Sequence, residues 1–192
     1  SEMPDGANIG SSSMRRSRQI GLQYPRLTFS DIRGNIETRL KKLDAGKHDG
    51  IVLAVAGIER LGLSSRICEV LDENMCVPAT GQGAIGIEIR KDSDELKELV
   101  VPINDDDTFA CVSSERRVAL ELSASCDLPI GIFASVSGNK FSLRVFISDS
   151  YGKKIIKESI SGSYKNIREI TGQLLTTLKD KGSKEIIIQK SG

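Results

Sequence analysis

The sequence predicts an α/β protein, a parallel-type βαβαβ domain followed by a small α+β domain with a three-stranded antiparallel sheet and helices. Three observations predict it. Strand-like and helix-like stretches alternate over the first third of the chain. An uninterrupted apolar run, IVLAVAGI at 51–58, marks a strand covered on both faces of a parallel sheet. Near the C-terminus, three alternating stretches are separated by short turns rich in Gly, Asn and Ser, which suits hairpins.

The elements follow in order. Residues 7–10 read as a short strand and residues 13–24 as a helix that Pro25 ends, since proline restricts the residue before it and donates no hydrogen bond. Residues 27–32 (LTFSDI) have strand character. Residues 35–44 place Ile36, Leu40 and Leu43 on one helical face, with Gly46 where a helix cap belongs. Residues 51–56 complete the βαβαβ unit with right-handed crossovers. Residues 78–86 (PATGQGAIG) form a glycine-rich connection, and 84–90 (AIGIEIR) alternate as a strand does. A polar helix is expected at 94–100 and a long one at 108–124, preceded by Asp105, Asp106 and Asp107. Strands are expected at 129–136, 141–148 and 154–161. Ile167, Ile170, Leu174, Leu175 and Leu178 form the apolar stripe of a helix at 163–180, which Gly182 stops, and 184–189 read as a last strand.

Composition narrows the function. The 192 residues, 39% hydrophobic and 28% charged, suit one large or two small globular domains. No apolar run approaches the roughly 18 residues that a membrane span needs, and the opening SEMPDGANIG lacks the basic start and apolar core of a secretory signal. A net charge of +1 argues against nucleic acid as a partner. Four cysteines without a Cys-x-x-Cys pair, and one histidine, fit neither a zinc site nor a disulfide scaffold. A cytoplasmic protein with reduced thiols is expected, without membrane, nucleic-acid or metal partners.

The charge is uneven along the chain: residues 1–66 carry 11 Lys and Arg against 7 Asp and Glu, and hold eight of the 13 arginines. On counts alone a solvated basic face explains this; position within motifs has to decide. GSSSMRR at 10–16 joins a strand to a helix, so hydroxyls and free backbone N–H groups collect at a helix N-terminus, which attracts anions. Arg15 and Arg16 there oppose the helix dipole by about 0.3–1 kcal/mol each, a conflict that an anionic ligand offsets. The purely structural alternative is a serine cap with solvated arginines. Arg33 and Asn35 occupy a second strand-to-helix turn, Arg39 lies in the helix after it, and Arg60 follows the apolar strand. In a doubly wound sheet the carboxyl ends of the strands converge on one crevice, where Arg15, Arg16, Arg33 and Arg60 are expected to meet. GQGAIG at 81–86 matches G-x-G-x-x-G, but a loop precedes it and a strand pattern follows, so it reads as a hinge rather than a dinucleotide site. Cys126 falls in a loop of small residues (SASCDLPIG), where a thiol is either inert or a nucleophile or covalent anchor. His48 reads as a turn residue, and the three aspartates as a helix start.

In order along nearly the whole chain, GSSSMRR, DIRGN with TRL, GIVLAVAGIERLGL, PATGQGAIGIEIR and SASCDLPIG resemble the porphobilinogen deaminase (hydroxymethylbilane synthase) family. The resemblance implies a transferase of tetrapyrrole and haem biosynthesis that condenses four porphobilinogen units head to tail, with loss of ammonia, on a dipyrromethane cofactor. It implies that Cys126 carries this cofactor through a thioether. Cofactor and substrate carboxylates would be bound at Ser11, Ser12, Ser13, Arg15, Arg16, Arg33, Asn35, Arg39, Gly57, Arg60, Gln82 and Gly83. Ser11 stands where the family usually has threonine, and Met14 where it often has leucine.

The resemblance also implies a first domain, bearing the catalytic aspartate, whose opening motifs are not in this sequence. Residues 1–80 would then be the second, anion-binding domain. Residues 81–103 would be a hinge and a return segment completing the first domain, and 104–192 the C-terminal domain. On this reading the chain alone lacks turnover. Its 84–90 strand, without sheet partners, would be mobile, fold back or pair with another copy, although the full-length enzyme would be monomeric. The rival expectation is a non-catalytic polycarboxylate-binding module, since a periplasmic-binding-protein-like βαβαβ unit with arginines at its strand ends suits that role as well.

Overall fold

A computed structural model describes residues 3–123 and 128–188. Its first part is the expected alternation: β1 (Asn8–Gly10), α1 (Met14–Gln23), β2 (Thr28–Ser30), α2 (Ile36–Asp44), β3 (Gly50–Ile51) and α3 (Val55–Arg60). The three strands are parallel in the order β2-β1-β3, with Ile9 opposite both Phe29 and Gly50. Side-chain caps start the two longer helices: Ser13 Oγ accepts from the Arg16 N–H at 3.4 Å and Asn35 Oδ1 from the Thr38 N–H at 2.8 Å. Ile9, Ile20, Ile32, Leu40 and Ile58 are buried around this sheet.

The apolar run at 51–56 is not the continuous strand expected. Pairing stops at Ile51, Val52 adds one N–H bond to Gly10 O at 3.1 Å, and the chain turns into α3 at Val55. A short apolar run suits a buried strand or a helix equally. Here the helix prevails: it buries Ile58, and Gly57 leaves room for Ile36, whose Cδ1 would lie 2.6 Å from any Cβ at that position.

The second part comprises α4 (Asp94–Val100), α5 (Asp106–Glu121), β4 (Ile130–Ser137), β5 (Lys140–Ser148), β6 (Ile155–Ser163), α6 (Ile167–Asp180) and α7 (Ser183–Ile188). The strands form an antiparallel sheet in the order β4-β5-β6, with tight turns at Gly138 and Gly152, both at positive φ. Phe141, Leu143, Val145 and Ile147 alternate into a core completed by Val118 of α5 and by Leu174 and Leu178 of α6. Two expected strands differ. Residues 84–90 pair with no strand among the described residues, and Ile85 and Ile87 are 84% and 58% exposed. Alternation assigns faces, but a strand also needs a hydrogen-bonding neighbour. Residues 184–189 are not the expected strand: Ser183–Ile188 form α7. Its adjacent Ile186 and Ile187 are both buried, which a half-buried strand would not permit.

Candidate functional site

The site grows from the β1–α1 turn. Ser11 is buried, donates its N–H to Ser30 O at 2.9 Å, and accepts the Ser13 N–H on its hydroxyl at 3.2 Å. Ser12 is exposed beside it. The first turn of α1 carries no acidic residue, so its positive end is uncompensated. A cleft of about 310 Å³ opens there, lined by Ser11, Ser12, Ser17, Ser30, Arg18 and Asp31 among others.

Arg15 points the other way along α1, into the protein. It is 7% exposed and donates to Val77 O at 2.5 Å and to Gln82 Oε1 at 3.1 Å. Burial lowers its pKa, with the neighbouring Arg16 adding to the effect. Arg16 donates to Val52 O at 3.3 Å, and its pKa is lowered by burial and by nearby Arg39. Both guanidiniums stay charged at any physiological pH. Arg15, Arg16 and Arg39 thus share one electrostatic neighbourhood. Arg39 is tied to Gly34 O at 2.8 Å, and Asn35 is spent on the α2 cap.

Arg33 and Arg60 are not drawn into that cluster. Arg33 is exposed and paired with Asp31 at 2.7 Å, a contact that raises its pKa. Arg60 is exposed at the end of α3. Gln82 holds Arg15 and also accepts the Ala79 N–H at 3.3 Å, while Gly83 takes a positive φ of 93° in the same loop. Cys126 lies outside the described residues.

Three residues that sequence reading passed over organise the site. Arg18 donates to Ser150 O in the β5–β6 turn at 2.5 Å, and its Nε is buried with no hydrogen-bond partner among the described residues. Gln19 is fully buried and grips Val77 through both its N–H (2.8 Å) and its carbonyl (3.1 Å). Glu115, 4% exposed on α5, accepts the Gly81 N–H at 2.6 Å and the Ala134 N–H at 2.8 Å. Polar side chains on otherwise apolar helix faces, Gln19 beside Ile20 and Glu115 between Cys111 and Val118, were the signal available in the sequence.

Chemically, this is a cleft supplied with hydroxyls, a helix N-terminus and the Arg18 guanidinium, suited to carboxylates or phosphates. Comparison with known proteins narrows the choice. The family model for the porphobilinogen deaminase dipyrromethane cofactor-binding domain matches residues 1–98, and that for the porphobilinogen deaminase C-terminal domain matches residues 109–180. The porphobilinogen deaminase of Chromobacterium violaceum is 41% identical over 187 residues, covering 97% of this chain and 60% of that protein. That of Nostoc sp. is 39% identical over 185 residues, covering 96% and 57%, and that of Acidithiobacillus ferrooxidans is 44% identical over 161 residues, covering 84% and 53%. The chain therefore spans at most about 60% of the length of these relatives. Two family models in succession, laid over the arginine-bearing parallel sheet and the antiparallel sheet, show that the chain belongs to the porphobilinogen deaminase family.

Proposed function

We propose that this chain is the cofactor- and substrate-holding part of a cytoplasmic hydroxymethylbilane synthase, a transferase that joins four porphobilinogen units head to tail with loss of ammonia. The observation that carries this reading is the uncompensated N-terminus of α1, with its serines and Arg18, opening on a cleft of about 310 Å³. Porphobilinogen and its oligomers carry acetate and propionate groups, so they are polyanions that such a surface recognises.

The donors present fit a dipyrromethane group: hydroxyls of Ser11 and Ser12 line the cleft, and the buried Nε of Arg18 has no partner among the described residues. When bound through a thioether to Cys126, dipyrromethane supplies the terminal pyrrole carbon to which the units are joined. The chain's own residues bind and orient. Arg15, Arg16 and Arg39 set the positive field, Ser11, Ser12 and Ser13 with the α1 N–H groups donate to carboxylate oxygens, and Arg33, Asn35 and Arg60 extend the anion-binding rim. Gln82 seats Arg15; Gly57 and Gly83 allow close approach of backbone.

In this reading residues 1–80 form the anion-binding domain, 81–103 a hinge and return segment, and 104–192 the domain bearing Cys126. The exposed Ile85 and Ile87 support a role for 84–90 as a strand completed elsewhere in the whole protein, or by a second copy when the chain is alone. The whole enzyme acts as a monomer. Cys68, Cys76 and Cys111, free among the described residues, suit a reducing compartment.

The test is calorimetric titration of the chain with porphobilinogen, and a turnover assay on the same sample. Binding that Arg16→Leu weakens roughly tenfold or more, the worth of one charge-assisted contact, supports the assignment; unchanged affinity overturns it. No turnover is expected, because no residue here matches the family's catalytic aspartate. Sustained consumption of porphobilinogen would overturn that part.

A further inference from the structure

Residues 76–82 run as a strap between the two sheets, gripped from both sides. On one side α1 holds it: Gln19 takes both the N–H and the carbonyl of Val77, and Arg15 donates to Val77 O and Gln82 Oε1. On the other side lies β4, an edge strand whose outward N–H groups need acceptors. The Ile132 N–H goes to Pro78 O at 2.9 Å, and the next outward N–H, of Ala134, goes to Glu115 Oε1 at 2.8 Å. The second oxygen of the same carboxylate accepts the Gly81 N–H at 2.6 Å. Gly131 seats the strap on β4, since a Cβ there would lie 2.6 Å from Val77 O.

Glu115 has no cationic partner among the described ion pairs, although it is 4% exposed. A buried carboxylate is costly unless its oxygens are satisfied, and here two backbone donors from different segments satisfy them. Burial raises its pKa while those two N–H groups oppose the shift. Covering the β4 edge needs only one oxygen. The other is committed to Gly81, which is at a positive φ of 68° and adjoins the residue that seats Arg15.

We infer that Glu115 is a positioning residue for the anion site: it fixes Gly81, so that Gln82 holds the Arg15 guanidinium in register with the antiparallel sheet. This rests on the reading of Arg15 as part of the positive field that holds pyrrole carboxylates, and it adds a residue about one hundred positions away that acts on Arg15 through Gly81 and Gln82.

Cys76 reports on the Arg15 end, because its Sγ contacts Arg15 Nη1 at 3.9 Å and Gln19 Nε2 at 3.8 Å. Cys111 reports on α5 itself, one turn before Glu115. The experiment measures iodoacetamide alkylation of both thiols, by peptide mass, in the full chain and in Glu115→Gln, Gln82→Ala and the double variant. Glu115→Gln should speed Cys76 alkylation roughly three- to tenfold, the change expected from one lost hydrogen bond. Cys111, whose pKa the Glu115 charge helps to raise, should keep its rate in Gln82→Ala and in Glu115→Asp, which retains that charge. The double variant should be no faster than the faster single one, because the two residues act in series.

Parallel acceleration of Cys111 in Gln82→Ala or Glu115→Asp, multiplying effects in the double variant, or an unchanged Cys76 rate would each overturn the inference. If Glu115→Gln does not fold, Glu115→Asp, too short to reach both N–H groups, is read in the same way. Porphobilinogen titration of the same variants separates the two claims. Wild-type chain that fails to bind sinks the functional reading, whereas the alkylation rates judge Glu115 without any ligand.

Discussion

Two glycines show how the same residue type serves opposite ends. Gly131 on β4 has an ordinary φ, yet an added Cβ would sit 2.6 Å from Val77 O and 3.1 Å from Pro78 O, both backbone atoms. Gly131→Ala should therefore force the strap off the sheet and lower stability by about 1–3 kcal/mol, the usual cost of overpacking. At Gly86 nothing lies within 4 Å and φ is not positive, so Gly86→Ala meets no obstacle. It should be neutral or raise stability by about 0.4–1 kcal/mol through the unfolded chain. Urea unfolding of both variants checks this; a Gly131→Ala midpoint equal to the wild type would show that the strap does not seat on β4. Nothing in the local sequence tells the two glycines apart, because the atoms that crowd Gly131 belong to residues more than fifty positions earlier.

At the scale of elements, local chemistry was legible wherever the chain itself supplies the partner. Ser13, Asn35 and Asp105 each cap a helix through a residue three positions on, and the helices begin where those residues suggest. The hairpin turns and the alternating core face of β5 are equally local. Residues 84–90 and 184–189 were not legible because a neighbouring element decides their state. The α5 cap carries a testable pH dependence. The Thr108 N–H, donating to Asp105 at 2.7 Å, holds that carboxyl below its usual value. A carboxylate with a depressed folded pKa stabilises above its unfolded pKa, and the contribution disappears as pH falls through the folded value. Asp105→Asn, which still caps but does not titrate, should lose less stability than the wild type on acidification below the normal carboxylate range. Acid unfolding curves of the two proteins that remain parallel to the lowest pH would show that the cap does not titrate with folding.

At the scale of the molecule, the proposed function places the N-terminal end of α1 in a fixed relation to the antiparallel sheet. The contacts that fix it are long-range. Gln19 reaches residue 77, Arg18 reaches residue 150, and Glu115 reaches residue 81. The placement of Arg15 and Arg16 at a strand-to-helix turn was readable from spacing, whereas the expected meeting with Arg33 and Arg60 does not occur, since both are exposed and Arg33 pairs with Asp31. The bracing was not readable, because a glutamine or a glutamate in a helix looks like surface until its partner is known. Gln19 makes the sharpest test, since it is fully buried and its bonds go to Cys76 Sγ and Val77 or back to Arg15 O. Gln19→Leu keeps the approximate bulk but leaves the Val77 N–H without its acceptor, a loss of about 1–3 kcal/mol. If the strap couples the two sheets, the damage crosses it: amide exchange should rise at Val77 and also at Ile132, whose N–H is held by Pro78 O. Exchange that rises at Val77 alone, with Ile132 as protected as before, would mean that the sheets open independently, and that α1 does not sense the antiparallel sheet through residues 76–82.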